Sequence, residues 1–309
     1  MTTQGIASAK FILCGEHSVV YGEPAISFPF KQAHIITTLK RIEGSQHELF
    51  SDYYTGPLAQ APEKLTAIKA LVPYVLKRYK CMDALAIHID SSVPVGRGLG
   101  SSAVVATSIT RALLAYLKQP VISDSVLPFV NFSEDIAHGN PSGIDAITVV
   151  NEQAAWFEKE KGVQSLSLNV TLPLVVADTG IPSETRSSVA AVRALYQKNN
   201  TEIAGCIAQL GDISREIGKE ITNEGRLETV GRLFNRSHQL LKQLSVSSPE
   251  IENLIDCALA HDALGAKLTG GGRGGCVLIL CKNKTQAVAM TKQLEAAGAV
   301  KTWISMIGE

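Results

Sequence analysis

The sequence predicts an α+β protein built from two domains, and three observations support this prediction. The chain has 309 residues, which is longer than most single domains. Short runs with β-strand character dominate its first part, whereas its last part mixes strands with several helices. The pattern changes near residue 170, so we predict an N-terminal domain over residues 1–170 and a C-terminal domain over residues 171–309.

The first part is predicted to begin with three strands and to continue with helices and one further strand. The runs "KFILCG", "AISFPF" and "HIITTLKRIE" carry branched or aromatic residues and are separated by turn residues. Helical spacing of apolar residues predicts a helix in "PEKLTAIKALVPYVLKRYK", although Pro73 lies inside it. "ALAIHID" alternates like a strand, and "SSAVVATSITRALLAYLK" predicts a buried helix. The next helix is predicted from Asp124 to Ala137, before a turn and the apolar run "IDAITVV".

The second part is predicted to open with a strand and to close with a strand, helix and strand. "LPLVVADTG" is the first strand, and helices follow near residues 184–198, 202–220, 226–244 and 249–262. Ser248 and Pro249 are typical of the cap and first turn of the last of these helices. The tail reads as a strand, a glycine-rich turn, a strand, a helix and a strand.

Composition favours a globular protein that acts on small molecules. Lysine plus arginine equals aspartate plus glutamate at 29 each, so no global field attracts nucleic acid or an anionic membrane. No apolar segment reaches the roughly 18 residues of a membrane span, which predicts a soluble, unexported chain. The six cysteines show neither a CxxC pair nor zinc-ligand spacing, so we expect reduced thiols in the cytoplasm.

The stretch "PVGRGLGSSAVV", which begins at Pro94, forms a glycine-rich link between a predicted strand and a predicted helix. It is not a Walker A loop, because no lysine follows Gly100, and not a dinucleotide motif, because position 101 is serine. A loop that opens a helix still presents backbone N–H groups and the helix dipole to a phosphate. Ser101 and Ser102 either cap this helix or help to hold Mg²⁺, and the loop itself is either a plain turn or a phosphate site.

Three further stretches favour a phosphate site. "KLTGGGRGGC" is a second glycine loop between predicted strands, suited to close approach of a ligand. In "SEDIAHGNPSGID", Glu134 and His138 share a helix face and Asp145 follows the turn, which suggests magnesium and a general base. Near the N-terminus, Lys10 begins a strand and the pair Glu16-His17 lies in the turn after it.

In their order along the chain, these stretches resemble those of the GHMP small-molecule kinases. The loop that this family shares reads roughly Pro-x-x-x-Gly-Leu-Gly-Ser-Ser-Ala. Pro94, Gly98, Leu99, Gly100, Ser101, Ser102 and Ala103 match that loop. Within the family, "KFILCGEHSVVYGEPA" and "HGNPSGID" resemble the mevalonate kinases. The resemblance implies a β-rich α/β N-terminal domain and a ferredoxin-like α+β C-terminal domain with extra helices, with the site between them. It also implies ATP-dependent phosphorylation of the 5-hydroxyl of mevalonate to 5-phosphomevalonate, in isoprenoid precursor biosynthesis.

Residue roles follow from the same resemblance. Asp145 would be the base, Ser102 and Glu134 would hold Mg²⁺, and Glu16 and His17 would meet the polar end of the substrate. Lys10 would stabilise charge on the transferring phosphate, keep Asp145 ionised or lower the pKa of the hydroxyl, three roles that the sequence does not separate. A homodimer is suggested by family likeness alone. The ATP phosphates would be held by Pro94, Val95, Gly96, Arg97, Gly98, Leu99, Gly100, Ser101 and Ser102.

Departures from the family pattern are small. Cys14 stands where phenylalanine is common, Arg97 where a small residue is common, and Gly271 where alanine is usual. Arg273 lies in a variable place. We expect both arginines to be solvated rather than to add charge near the nucleotide.

Two alternatives stay open. A sibling kinase would act on phosphomevalonate or homoserine, although a phosphorylated substrate calls for more cations than Lys10 and Arg186 supply. A sensor of a different class would bind nucleotide or ligand without turnover. The presence of Lys10, Ser102, Glu134 and Asp145 argues against it.

Overall fold

The computed structural model describes residues 2–139, 141–183, 185–198 and 200–308, and these residues divide into two compact units. The first unit contains residues 2–10, 29–94 and 100–152, and the second contains residues 11–28, 95–99 and 153–308. This division differs from the predicted boundary near residue 170, because two strands near the N-terminus each contribute residues to both units. The boundary at residue 170 follows a change of sequence pattern and stays a prediction.

Strands of the first unit pair in the order β4-β3-β5-β2, and β1 also pairs with β2. The bounds are β1 Thr2–Cys14, β2 Ala25–Ile42, β3 Glu48–Ser51, β4 Tyr54–Pro57 and β5 Ala84–Ser91. Strands β2 and β5 are antiparallel, with Ile35 opposite Ser91. The prediction of two separate strands in "AISFPF" and "HIITTLKRIE" was wrong, because no turn-forming residue lies between Phe30 and His34 and β2 continues through both runs.

Among its described residues, the first unit also contains four α-helices, which are α1 Thr66–Arg78, α2 Ser101–Tyr116, α3 Ser123–His138 and α4 Ile144–Asn151. Helix α2 is buried along most of its length, and it packs against the other three helices. The predicted helices α1, α2 and α3 are confirmed, including Pro73 inside α1. The apolar run "IDAITVV" forms α4, whose first turn carries Asp145. Asn140 of the motif "HGNPSGID" lies outside the described residues.

The second unit contains a four-stranded antiparallel sheet of β8 Leu172–Asp178, β9 Gly265–Thr269, β10 Cys276–Leu280 and β11 Lys301–Ile307. The strand order is β11-β8-β10-β9, so β8, the first of these four strands along the chain, lies in the interior of the sheet. This order and its helical crossovers are those of a ferredoxin-like fold. A hairpin of β6 Ala155–Glu158 and β7 Gly162–Ser165 pairs with the start of β2 in the same unit.

Helices of the second unit confirm the predicted pattern and are α5 Thr185–Lys198, α6 Asn200–Lys219, α7 Leu227–Gln243, α8 Pro249–Ala260 and α9 Lys284–Ala296. Ser248 caps α8, because its side chain accepts a hydrogen bond from the backbone N–H of Ile251, and Pro249 begins the helix. Helices α7, α8 and α9 pack on the four-stranded sheet. Within the described ranges, no helix is both long and apolar enough to span a membrane.

Candidate active site

The first unit brings Lys10 and Asp145 together. The ammonium Nζ of Lys10 lies 2.7 Å from Oδ1 of Asp145, and the two side chains are 2% and 34% exposed. Lys10 lies within strand β1. Asp145 lies in the first turn of α4, shortly after Gly143 in a left-handed conformation. The lysine is thus enclosed while one side of the carboxylate stays accessible. This arrangement suits a base that must reach a substrate hydroxyl.

Gly100 makes room for Lys10. It precedes α2 with a φ of +73°, and a Cβ built on it would lie 2.9 Å from Cε and 3.0 Å from Cγ of Lys10. These separations are shorter than van der Waals contact, so a larger residue at position 100 would displace the lysine stem. The glycine is therefore required for the position of the lysine as well as for the turn.

The start of α2 also carries the predicted metal ligand Ser102. Its hydroxyl lies 3.0 Å from Nε2 of His138, and that nitrogen lies 3.8 Å from Oε2 of Glu134 on the same helix α3. Neither Ser101 nor Ser102 caps α2, because the capping position is Gly100 and carries no side-chain oxygen. The structure thus brings Ser102, Glu134 and His138 into one cluster, as the helical spacing of the last two predicts.

Glu134 is buried in this cluster. Burial, and secondarily repulsion from Asp145, raises the pKa of the Glu134 carboxyl to about 7. Its Oε1 is buried and has no hydrogen-bond partner among the residues that the structure describes. A buried carboxylate oxygen beside a serine hydroxyl provides the hard oxygen ligands that Mg²⁺ prefers. The donor set therefore fits the ion that the sequence predicts here.

In the second unit, residues 95–99 lie against the second glycine loop. A Cβ on Gly98 would lie 3.0 Å from the carbonyl oxygen of Thr269 and 3.3 Å from Cα of Gly270. The backbone N–H of Ser183 donates to the carbonyl oxygen of Gly96, at 2.5 Å. Leu99 is buried and Val95 is about half-exposed. The two glycine loops approach so closely that a side chain does not fit between them.

Arg97 corrects one expectation. The sequence predicts a solvated side chain, but this one is only 15% exposed and its Nε lies 2.8 Å from Oδ1 of Asp178. The sequence pattern does not reveal this partner, because Asp178 ends a strand far along the chain. Arg273 is exposed, as expected, and donates from Nε to the carbonyl oxygen of Ser245.

Glu16 and His17 lie in the turn after β1, also in the second unit. The carboxylate of Glu16 forms an ion pair with Lys267, and both side chains are fully buried. His17 has a φ of +61°, and its Nε2 lies 3.0 Å from the carbonyl oxygen of Gly271. Because a carbonyl only accepts, Nε2 carries the proton and Nδ1 is the acceptor. Burial lowers the pKa of His17 to about 4, so the imidazole is neutral near pH 7.

Lys267, the partner of Glu16, is a residue that sequence reasoning missed. It appears in the quoted stretch "KLTGGGRGGC" only as a residue ahead of the glycines. Besides Glu16, its ammonium contacts the carbonyl oxygen of Leu268 at 2.8 Å, and it lies 5.8 Å from the ring centre of Phe234. A lysine inside an apolar strand was the available signal, because a buried lysine requires a buried acceptor.

The Lys10–Asp145 pair, the helix opened by glycine and serine, and the Glu134 cluster are the groups expected of a small-molecule phosphotransferase. The sequence matches the families described as GHMP kinases N terminal domain, over residues 66–153, and GHMP kinases C terminal, over residues 219–300. A relative named mevalonate kinase from Pyrococcus furiosus is 32% identical, with 98% of this chain and 96% of the relative covered. The chain belongs to the GHMP kinase family and, within it, to the mevalonate kinases.

Solved structures of mevalonate kinases have the same fold. The enzyme of L. major, solved in complex with R-mevalonate, has a TM-score of 0.83 and 27% identity, covering 98% of this chain and 95% of its own. The enzyme of methicillin-resistant Staphylococcus aureus has a TM-score of 0.76 and 32% identity, covering 100% of this chain and 99% of its own. These similarities agree with the two-part fold described above.

Proposed function

We propose that the chain transfers the γ-phosphoryl group of ATP to the 5-hydroxyl of mevalonate. The observation that carries the proposal is the Lys10–Asp145 pair, in which an enclosed ammonium touches a partly accessible carboxylate at 2.7 Å. Relatives that share nearly the whole length of the chain support mevalonate as the substrate.

The proposed reaction is a displacement at the γ-phosphorus. The 5-oxygen of mevalonate forms the new P–O bond, the bond to the β–γ bridging oxygen breaks, and ADP leaves with that electron pair. Asp145 receives the hydroxyl proton, while Lys10 holds the carboxylate in place and adds positive charge beside the reacting oxygens. Most of the rate enhancement in such a reaction comes from positioning and charge, which this pair is built to supply.

Ser102 and Glu134 are the proposed ligands of Mg²⁺. When bound, the ion neutralises charge on the phosphates and orients them. The buried Oε1 of Glu134, which has no hydrogen-bond partner among the described residues, supports this assignment. His138 contacts Ser102 and Glu134 and orients them.

The ATP phosphates are proposed to contact the backbone of the segment from Pro94 to Ser102. This role rests on the backbone N–H groups at the start of α2. Leu99 contributes its backbone alone, because its side chain is buried.

His17 and Glu16 are the proposed substrate residues, with unequal roles. His17 presents Nδ1 as an acceptor, which suits a hydroxyl of the substrate. Glu16 is buried and paired, so we propose that it acts by fixing the turn that carries His17.

We also propose a cytoplasmic location, a homodimer, and family domains over residues 1–170 and 171–309.

A coupled assay of ADP release tests the substrate. The purified protein is incubated with Mg-ATP and, separately, with mevalonate, phosphomevalonate, homoserine or galactose. We expect turnover with mevalonate and at least about a hundredfold lower kcat/KM with the other three. A preference for phosphomevalonate or homoserine would replace the proposal by a sibling kinase. ATP binding without turnover on any of them would indicate a sensor.

A further inference from the structure

The segment 95–99 has little rigidity of its own. Gly96 and Gly98 have φ values of +70° and +76°, and glycine loses more conformational freedom on ordering than any other residue. A ligand that binds to such a segment must first order it, unless other groups hold it in place. The contacts of the residue between these glycines therefore matter for phosphate binding.

Arg97 connects this segment to the end of β8. Its Nε donates to the carboxylate of Asp178, at 2.8 Å from Oδ1 and 3.1 Å from Oδ2, and its terminal nitrogen donates to the carbonyl oxygen of Gly180 at 2.8 Å. Asp178 also accepts a hydrogen bond from the N–H of Gly180 at 2.8 Å. The arginine thus binds both the strand end and the turn that follows it.

The four-stranded sheet fixes the position of Asp178. This residue ends β8, an interior strand of the four-stranded sheet, where it lies opposite Cys276 of β10 and Lys301 of β11. Its side chain is only 4% exposed. A guanidinium with two partners on such an anchor holds a loop better than a lysine would, because its donors form a rigid fork.

The backbone around Arg97 is held as well. A Cβ on Gly275 would lie 2.9 Å from the carbonyl oxygen of Arg97, and Ser183 donates to the carbonyl of Gly96. These contacts fix one side of the segment, and the guanidinium fixes its middle. The positive charge of Arg97 is directed to Asp178 in this arrangement.

We propose that Arg97 is a positioning residue, which holds residues 95–99 in the conformation that receives the nucleotide phosphates, through Asp178 rather than by contact with a phosphate. The inference rests on the proposed function, because it concerns the ATP loop of that reaction. Preorganisation lowers the entropy lost on binding, so its removal weakens ATP binding and leaves chemistry and mevalonate binding nearly unchanged.

Three variants separate positioning from direct phosphate binding. Arg97→Ala raises KM for ATP whether Arg97 positions the segment or binds a phosphate directly. Asp178→Ala decides between them, because it loosens the segment but frees the guanidinium for a phosphate. We expect Arg97→Ala and Asp178→Ala each to raise KM for ATP about fivefold or more, with kcat and KM for mevalonate within about twofold. Asp178→Asn keeps an acceptor oxygen, so we expect it to recover most of the wild-type KM.

The double variant Arg97→Ala/Asp178→Asn guards against misfolding, because Arg97→Ala alone leaves a buried carboxylate without its partner. We expect its KM for ATP to match that of Arg97→Ala within about twofold. An unchanged KM for ATP in Arg97→Ala or the double variant overturns the proposal. A lower or unchanged KM in Asp178→Ala does so too and makes Arg97 a phosphate ligand.

Calorimetric titration with ADP separates this inference from the proposed function. If the wild-type protein shows no turnover with mevalonate, the proposed function fails. The Kd for ADP in the same variants still tests the role of Arg97. We expect this Kd to rise in Arg97→Ala and Asp178→Ala and to stay near the wild-type value in Asp178→Asn.

Discussion

Lys10 Nζ lies 2.7 Å from Oδ1 of Asp145, with the lysine enclosed and the carboxylate one-third exposed. We propose that this asymmetry serves the reaction, because the enclosed cation is fixed by its surroundings while the carboxylate stays within reach of a ligand. The lysine lies on strand β1 and the aspartate lies in the first turn of α4, so the pair depends on two elements far apart in the sequence. Any change that moves either element should therefore lower the rate of phosphoryl transfer.

Gly100→Ala should lower kcat by displacing Lys10. A Cβ at this position lies 2.9 Å from Cε of Lys10, and a misplaced catalytic group can cost up to about a hundredfold in rate. Gly162→Ala is the matched control, because Gly162 has a φ of +76° and a Cβ added there would have no neighbour within 4 Å. We expect at least about tenfold lower kcat for Gly100→Ala than for the control. Equal kcat values would show that the lysine stem tolerates the methyl group.

Glu134→Gln and Ser102→Ala should each raise the magnesium requirement. Both remove an oxygen ligand, so we expect the Mg²⁺ concentration for half-maximal activity to rise about tenfold. Asp124→Asn is the control, because Asp124 is an exposed carboxylate on the same helix. The measurement is a magnesium titration at saturating ATP and mevalonate. Unchanged titration curves for both Glu134→Gln and Ser102→Ala would remove the metal assignment.

Lys267→Met should destabilise the fold by removing the positive charge that is paired with the buried Glu16 carboxylate. Removing one member of a buried ion pair typically costs about 3–5 kcal/mol. The double variant Lys267→Met/Glu16→Gln removes both charges, and we expect it to regain most of that loss. Urea denaturation of the three proteins measures the free energies of unfolding. A double variant as unstable as Lys267→Met would mean that packing, not charge, explains the loss.

His17 should make the protein less stable in acid. Its pKa is about 4 in the folded chain against 6.5 as the ordinary value, so the unfolded chain binds the proton first as pH falls. Stability therefore decreases between pH 6.5 and 4, by up to about 3 kcal/mol from this group. His17→Gln should reduce that loss, and His34→Gln, which alters an exposed histidine, should not. Urea denaturation across this pH range measures the free energy of unfolding. If this free energy changes with pH at the same slope in His17→Gln and in wild type, the prediction is wrong.

Much of the fold was predictable because its signals are local. Periodicity predicts α1 to α3 and the helices of the second unit, and Ser248-Pro249 marks the start of α8. The continuous strand β2 was missed, since nothing local distinguishes two strands from one that continues through Lys31 and Gln32. The short strands β3, β4, β6 and β7 were also missed, because four residues carry too little periodicity to be recognised.

For the site, the sequence motifs predict the residue types but not their partners. The spacing of Glu134 and His138 predicts their shared face, because both lie on one helix. Asp178 and Lys267 escaped prediction, since their partners Arg97 and Glu16 are distant in sequence and meet them only in the folded unit. Burial explains why both pairs form, because a buried charge requires a partner of opposite charge.

The rate of 5-phosphomevalonate formation by Asp145→Asn, measured beside its affinity for ADP and mevalonate, tests the central claim most directly. The amide keeps the shape of the side chain but cannot accept the hydroxyl proton. We predict a kcat at least about a hundredfold below wild type, with both affinities within a few-fold. A variant that keeps more than about a tenth of the wild-type kcat would contradict the role of Asp145 as the base.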